Sequence, residues 1–184
     1  MEKIKWGIIG PGNIANNFAD GLKGSYSGQL VSIASKSEDR RKNFGDKYDI
    51  HPDFRFDSYE DIINSEHIDA IYISTPHTLH AEWTIKAAGK GKHILCEKPG
   101  AINFNEGKKI IDAVREAGVF YMEGFMYRCH PQIPKLVEII KNKIIGDVIS
   151  IETSFGFDMG KTIPDHRLFN KNLAGGGILD VCLL

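Results

Sequence analysis

Two stretches of this chain carry residue types that could act together in hydride chemistry. Lys98 stands between Glu97 and Pro99, directly after the apolar run His93–Cys96. A lysine at a strand end can reach the middle of a cleft, hydrogen-bond a substrate hydroxyl and favour loss of its proton. Position alone also suits a surface lysine after a strand. The second stretch is Gly10-Pro11-Gly12-Asn13-Ile14-Ala15, which follows the apolar residues Trp6, Ile8 and Ile9. Gly10 permits a sharp turn, Gly12 lets the backbone approach a pyrophosphate, and Ala15 keeps helix and strand in close contact. The helix that begins here, with Ile14, Phe18 and Leu22 four residues apart, offers free N–H groups and a partial positive charge to phosphates.

Further candidates fall at other strand ends. Ser35-Lys36-Ser37, with Arg40 and Arg41 close behind, stands where an acidic residue would accept from the ribose hydroxyls of NAD. Hydroxyls and cations suit a 2′-phosphate, so Ser35, Lys36 and Arg40 favour NADP over NAD. The same residues also fit a solvated helix start. Thr75-Pro76 ends an apolar run, and His77 and His80 open the helix that follows. These histidines could line a cofactor pocket, and capping or packing explains them equally well. Arg128 faces a substrate or forms a structural ion pair. Gly175-Gly176-Gly177 forms a flexible, close-approach loop leading to the carboxylate of Asp180. Trp83, Phe104 and the other aromatics at helical spacing read as core.

The elements that must position these residues alternate. Strands are expected at Gln29–Ala34, Phe54–Phe56, Asp69–Ser74, His93–Cys96 and Val119–Met122. Helices are expected after the glycine turn and at Glu38–Tyr48, Tyr59–Ile63 and Thr78–Ala88. Asn103 with Glu106 three residues on reads as a helix N-cap, and Gly118 as its C-terminal stop. Alternation of this kind predicts an α/β fold with a parallel sheet covered on both faces, its ligands at the carboxyl ends of the strands. Residues 1–124 read as a Rossmann dinucleotide-binding domain and residues 125–184 as the beginning of a second domain. There Pro131–Lys143 reads as a helix. Val148–Phe157 alternates cleanly enough to predict a half-exposed strand of an antiparallel sheet.

Composition bounds the partners. Of 184 residues 42% are apolar and 26% charged, with a formal net charge of −1, which gives no reason to invoke nucleic acid or an anionic membrane. No apolar run is long enough to span a bilayer. Cys96, Cys129 and Cys182 are few and far apart, which favours reduced thiols and a cytoplasmic setting. His77, His80 and His130 lie near no convincing ligand set, so no metal site is expected.

Taken together, Gly10-Pro11-Gly12-Asn13-Ile14-Ala15, Ser74-Thr75-Pro76-His77 with His80, Cys96-Glu97-Lys98-Pro99 and Gly175-Gly176-Gly177-Ile178-Leu179-Asp180 resemble the glucose-fructose oxidoreductase / inositol dehydrogenase family, Gfo/Idh/MocA. Met122-Glu123-Gly124-Phe125-Met126-Tyr127-Arg128 with His130-Pro131 is similar to its dihydrodiol and NADP-dependent xylose dehydrogenase branch. The resemblance implies a Rossmann domain followed by an α/β domain with a large, open, mainly antiparallel sheet that commonly serves dimerisation. It implies hydride transfer between nicotinamide and a sugar, polyol or diol. It places the catalytic lysine on Lys98, a glutamate near the nicotinamide ribose on Glu97, and a catalytic aspartate on Asp180. Family members continue Asp-x-Gly-x-Tyr or Asp-x-Gly-x-His, whereas Cys182 and Leu184 stand at those places here. The expectation is therefore weak or no turnover from this polypeptide alone. The competing expectation is a non-catalytic NADP(H)-binding module acting through a protein partner.

Overall fold

The computed structural model describes residues 2–156, 158, 160, 166 and 168–180, the last of these by backbone alone. Contacts divide the chain into two units, Met1–Glu123 and Gly124–Leu184. The first unit alternates strand and helix: β1 (Ile4–Ile9), α1 (Asn13–Lys23), β2 (Gly28–Ala34), α2 (Glu38–Lys47), β3 (Arg55–Phe56), α3 (Tyr59–Asn64), β4 (Ala70–Ile73), α4 (His80–Ala88), β5 (His93–Cys96), α5 (Phe104–Ala117) and β6 (Tyr121–Glu123). All six strands are parallel and run in the order β3-β2-β1-β4-β5-β6. The order reverses beside β1, which leaves a crevice outside the ends of β1 and β4.

Neighbouring residues of each strand enter opposite cores. Ile8, Ile33 and Tyr72 pack with Ala15 and Ala19 of α1 and Phe44 of α2. Ile9, Ala34, Ile71 and Ile73 pack with Ile62 and Ile63 of α3 and Trp83, Ala87 and Ala88 of α4. A strand buried on both faces must be apolar at successive positions, and the run Ala70-Ile71-Tyr72-Ile73 is. Gly7 allows this packing: a Cβ there would lie 3.0–3.1 Å from Ile62, Ile68 and Ile71.

The helix signals act as expected. Asn103 Oδ1 accepts from Glu106 N at 3.0 Å, while Glu106 Oε2 accepts from Ile102 N at 3.2 Å. Gly118 ends α5 at φ 65°. Ser37 and Ser58 cap α2 and α3. Helix α1 differs: its N-cap is Gly12, no side chain caps it, and its first turn holds no acidic residue.

Three expectations are corrected. The helix expected from Thr78 begins as a 3₁₀ turn, His77–Leu79, and becomes α-helical at His80. Phe104 is 82% exposed rather than core, because the buried position of α5 is Ile110. Residues 148–156 form no strand. Among the described residues no strand pairs with them, and a strand is stable only beside another; Phe157 lies outside the described residues.

The second unit holds a 3₁₀ turn at Met126–Cys129, α6 (Gln132–Lys141), a 3₁₀ turn at Lys171–Leu173 and α7 (Gly177–Asp180). The glycine loop expected before Asp180 gives way to α7 at Gly177, after Gly176 at φ 132°. Among the described residues no helix is long and apolar enough to cross a membrane.

Candidate functional site

The strand register sets the site. Ile9 stands opposite both Ala34 and Ile73, and Ile73 opposite Cys96. The loops leaving β1, β2, β4 and β5 therefore start on one line. Four of the predicted groups lie on these loops: the glycine turn, Ser35-Lys36, Thr75-Pro76-His77 and Glu97-Lys98.

Gly10 has φ 90°, and a Cβ there would lie 3.1 Å from the backbone of Ser74 and Thr75. A side chain is excluded on both counts. The turn closes through Gly12 N to Gly10 O at 2.8 Å. Ser74 Oγ donates to Gly10 O at 2.7 Å and ties the end of β4 to it. Beside Gly12, a Cβ would meet nothing within 4 Å. The uncapped start of α1, from Asn13 and Ile14 onward, thus opens on space suited to an anion. Next to it Thr75 is buried, and its Oγ1 has no hydrogen-bond partner among the described residues. An open cradle and an orphaned hydroxyl both fit a dinucleotide phosphate.

At the end of β2, Ser35 is buried and its hydroxyl is taken up locally, accepting from Ser37 N at 3.3 Å. Arg41, half-buried, donates to Ser35 O at 2.7 Å. Lys36 and Arg40 are exposed. Lys36 Nζ lies 5.8 Å from the centroid of the Tyr59 ring, and burial pushes the Tyr59 phenol up, opposed in part by the Arg40 charge. Tyr59 is a site neighbour that sequence reading missed, having treated it only as a helix start. A basic pair followed by an aromatic residue about 20 positions on offered no local signal.

His80, expected to line the pocket, is fully buried instead. Its Nδ1 lies 2.7 Å from Pro99 O and its Nε2 2.8 Å from Thr75 O, so the ring presents no surface to a ligand. His77 is 6% exposed, its ring 5.6 Å from that of His80.

The lysine loop is held from several sides. Glu97 N donates to Ile73 O at 2.9 Å, and buried Tyr72 donates its hydroxyl to Glu97 Oε1 at 2.5 Å. Burial first, and the Glu97 charge second, push the Tyr72 phenol far up and keep it a donor. Gly100 N donates to Glu123 Oε1 at 2.6 Å. Lys98 is half-buried, and its peptide bond to Pro99 is cis. Tyr72 and Glu123 were not foreseen as site residues, because their partners lie 25 and 23 positions away. Burial pushes the neighbouring Cys96 thiol up to about 12, so it is inert.

Two predicted residues lie in the second unit. Arg128 is exposed in the turn at Met126–Cys129, and Asp180 ends α7. Cys182 and Leu184 lie outside the described residues.

Comparisons with known proteins bear on this arrangement. The family description GFO_IDH_MocA, an oxidoreductase family with an NAD-binding Rossmann fold, matches residues 4–125. The chain is 35% identical to trans-1,2-dihydrobenzene-1,2-diol dehydrogenase of Xenopus tropicalis, covering 96% of this chain and 53% of that protein. It is 34% identical to D-xylose 1-dehydrogenase (NADP(+)) 2 of Haloferax volcanii, covering 97% of this chain and 54% of that protein. The chain thus spans about half the length of the curated relatives it matches. Among solved structures, aldose-aldose oxidoreductase from Caulobacter crescentus, complexed with glycerol, matches 97% of this chain and 54% of its own at 27% identity, with a TM-score of 0.89. A 3-ketoreductase from Actinomadura kijaniata in complex with NADP matches 79% of this chain and 46% of its own at 31% identity, with a TM-score of 0.72.

Proposed function

Because the chain belongs to the Gfo/Idh/MocA family of oxidoreductases with an NAD-binding Rossmann fold, we propose that it carries the NADP-binding, lysine-bearing part of a dehydrogenase for sugars, polyols or related diols. The observation that carries this reading is the single line of loops on which the open Gly12 cradle and the Lys98 loop both stand.

The residues divide the work. Backbone N–H groups of Asn13 and Ile14 hold the pyrophosphate, which the bare Gly12 backbone lets approach, and Thr75 Oγ1 donates to the same group. Pro76 and His77 border it. Lys36 and Arg40 meet a 2′-phosphate, and Tyr59 gives a flat wall beside them. Ser35 shapes this turn through its backbone. Bound there, the nicotinamide supplies the hydride donor or acceptor. Lys98 hydrogen-bonds the substrate oxygen and stabilises its charge as the carbinol proton leaves, while Glu97 fixes the lysine loop next to the ribose. Asp180 orients the substrate or the proton relay, as the family resemblance implies, and Arg128 contacts the substrate. The substrate names of two relatives, a pentose and a dihydrodiol, share a secondary hydroxyl with an oxygen on the adjacent carbon or ring, which defines the class to assay.

Titration of the chain with NADPH and NADH, read by nicotinamide fluorescence, tests the cofactor. NADPH is expected to bind more tightly. Lys36→Ala is expected to weaken NADPH by about tenfold, the scale of one charge-assisted phosphate contact, while leaving NADH within about twofold. Equal weakening of both nucleotides would remove the 2′-phosphate role. Turnover is then followed with NADP and D-xylose or trans-1,2-dihydrobenzene-1,2-diol.

A further inference from the structure

We propose that His80 is a positioning residue for Lys98, a buried strut that holds the lysine loop at a set distance from the cofactor-side loop. This rests on the reading that Lys98 acts beside bound NADP.

Thr75 O and Pro99 O belong to the loops that leave β4 and β5, and they face opposite nitrogens of one imidazole at 2.8 and 2.7 Å. A carbonyl buried without a donor is costly, and here one rigid ring stands between two of them. As a neutral ring it donates to one carbonyl, and as imidazolium to both. Its full burial removes water as a substitute.

The consequence for Lys98 follows from peptide planarity. Pro99 O and Gly100 N belong to the same peptide group. His80 holds its oxygen and Glu123 Oε1 holds its nitrogen at 2.6 Å, so the plane is set at both ends. On the other side, Glu97 is tied by its N–H to Ile73 O and by its carboxylate to Tyr72. Lys98 is therefore the single residue between two anchored ones. Its Cα is fixed by β4, α4 and β6 together, although none of them touches a reacting atom. Reaction geometry is sensitive to such placement, since a shift of about 1 Å can cost on the order of a hundredfold in rate.

The position suits histidine for a chemical reason. Leucine fills similar space and leaves both carbonyls bare. Glutamine carries two N–H bonds on one nitrogen and can still serve them. The test uses the whole chain and NADPH, and reads dimethyl labelling of Lys98 with formaldehyde and cyanoborohydride by peptide mass spectrometry. In the unsubstituted protein, saturating NADPH is expected to slow labelling of Lys98 about fivefold, the nicotinamide covering a lysine held beside it. In H80L that slowing is expected to vanish while NADPH affinity stays within about threefold, and H80Q is expected to restore it.

Wild-type protection retained in H80L would overturn the proposal. So would parallel loss of NADPH affinity in H80L and H80Q, which is the behaviour of a residue needed only for the fold. If NADPH binds the unsubstituted protein without slowing Lys98 at all, the reading of Lys98 beside the cofactor fails, and the strut role falls with it. Should H80L not fold, the unsubstituted protein labelled with ¹⁵N-histidine decides the matter. A His80 ring N–H that persists against solvent exchange, identified by its loss in H80Q, is expected, and its absence would overturn the proposal.

Discussion

At the scale of single residues, the site depends on which groups are exposed and which are engaged. Lys98 is half-buried between anchored neighbours, which suits a side chain that must present a proton donor at one place. Replacing it with methionine keeps the length and apolar stem and removes the charge. Lys98→Met is expected to lower hydride transfer by about 10²–10⁴, the usual contribution of a positioned acid or base, with NADPH affinity little changed. Single-turnover absorbance of the nicotinamide measures this. The cysteines offer a contrast that needs no substrate. Burial pushes Cys96 up to about 12, whereas Cys129 is exposed. A folded pKa raised above the ordinary thiol value means that the thiolate, the reactive form, appears only in strongly alkaline solution. At pH 8 iodoacetamide is expected to modify Cys129 and spare Cys96, and peptide mass spectrometry would show it. Modification of Cys96 at the same rate would mean that β5 is not packed as described.

The elements contribute by where they stop and start. Three helices of the first unit are closed by side-chain caps at Ser37, Ser58 and Asn103, while α1 leaves its first turn uncapped at the glycine turn. A cap contributes to stability, and its absence at α1 keeps N–H groups available for phosphate. Asn103→Ala removes the acceptor for Glu106 N and is expected to destabilise the first unit by about 1 kcal/mol, with NADPH binding unaltered. Urea unfolding with and without NADPH separates the two effects. A loss of NADPH affinity beyond that shift in stability would place Asn103 in the site itself.

For the molecule as a whole, the first unit has what an independent domain needs. Its sheet is buried on both faces, with Ile9, Ile71 and Ile73 in one core and Ile8, Ile33 and Tyr72 in the other. The cofactor-side loops and the Lys98 loop all belong to it. Residues 1–123 produced alone are therefore expected to fold cooperatively and to bind NADPH within about threefold of the whole chain. Circular dichroism and the same fluorescence titration check this. In that fragment Ile71→Ala is expected to cost about 2–5 kcal/mol, since its side chain is fully buried at the centre of the sheet. A fragment that stayed unfolded would show that the second unit is part of the core.

Local sequence determined the elements, because their causes are local. Glycine at φ 90°, the Asn103–Glu106 cap, the Gly118 stop and the apolar strand runs all act within a few positions. These were enough to read a parallel α/β sheet with its candidate residues at the strand ends. Tertiary structure decided which of those residues stay open at the strand ends and which are buried or bonded to their neighbours. His80 moved from pocket wall to strut, Ser35 turned its hydroxyl back into its own loop, and Tyr72, Glu123 and Tyr59 entered the site unannounced. Pro99 lies 19 positions from His80, Glu97 25 from Tyr72 and Gly100 23 from Glu123, so only the folded sheet brings these pairs together. Residues 148–156 make the same point in reverse. Their alternation is a statement about one side of a ladder, and no strand among the described residues supplies the other.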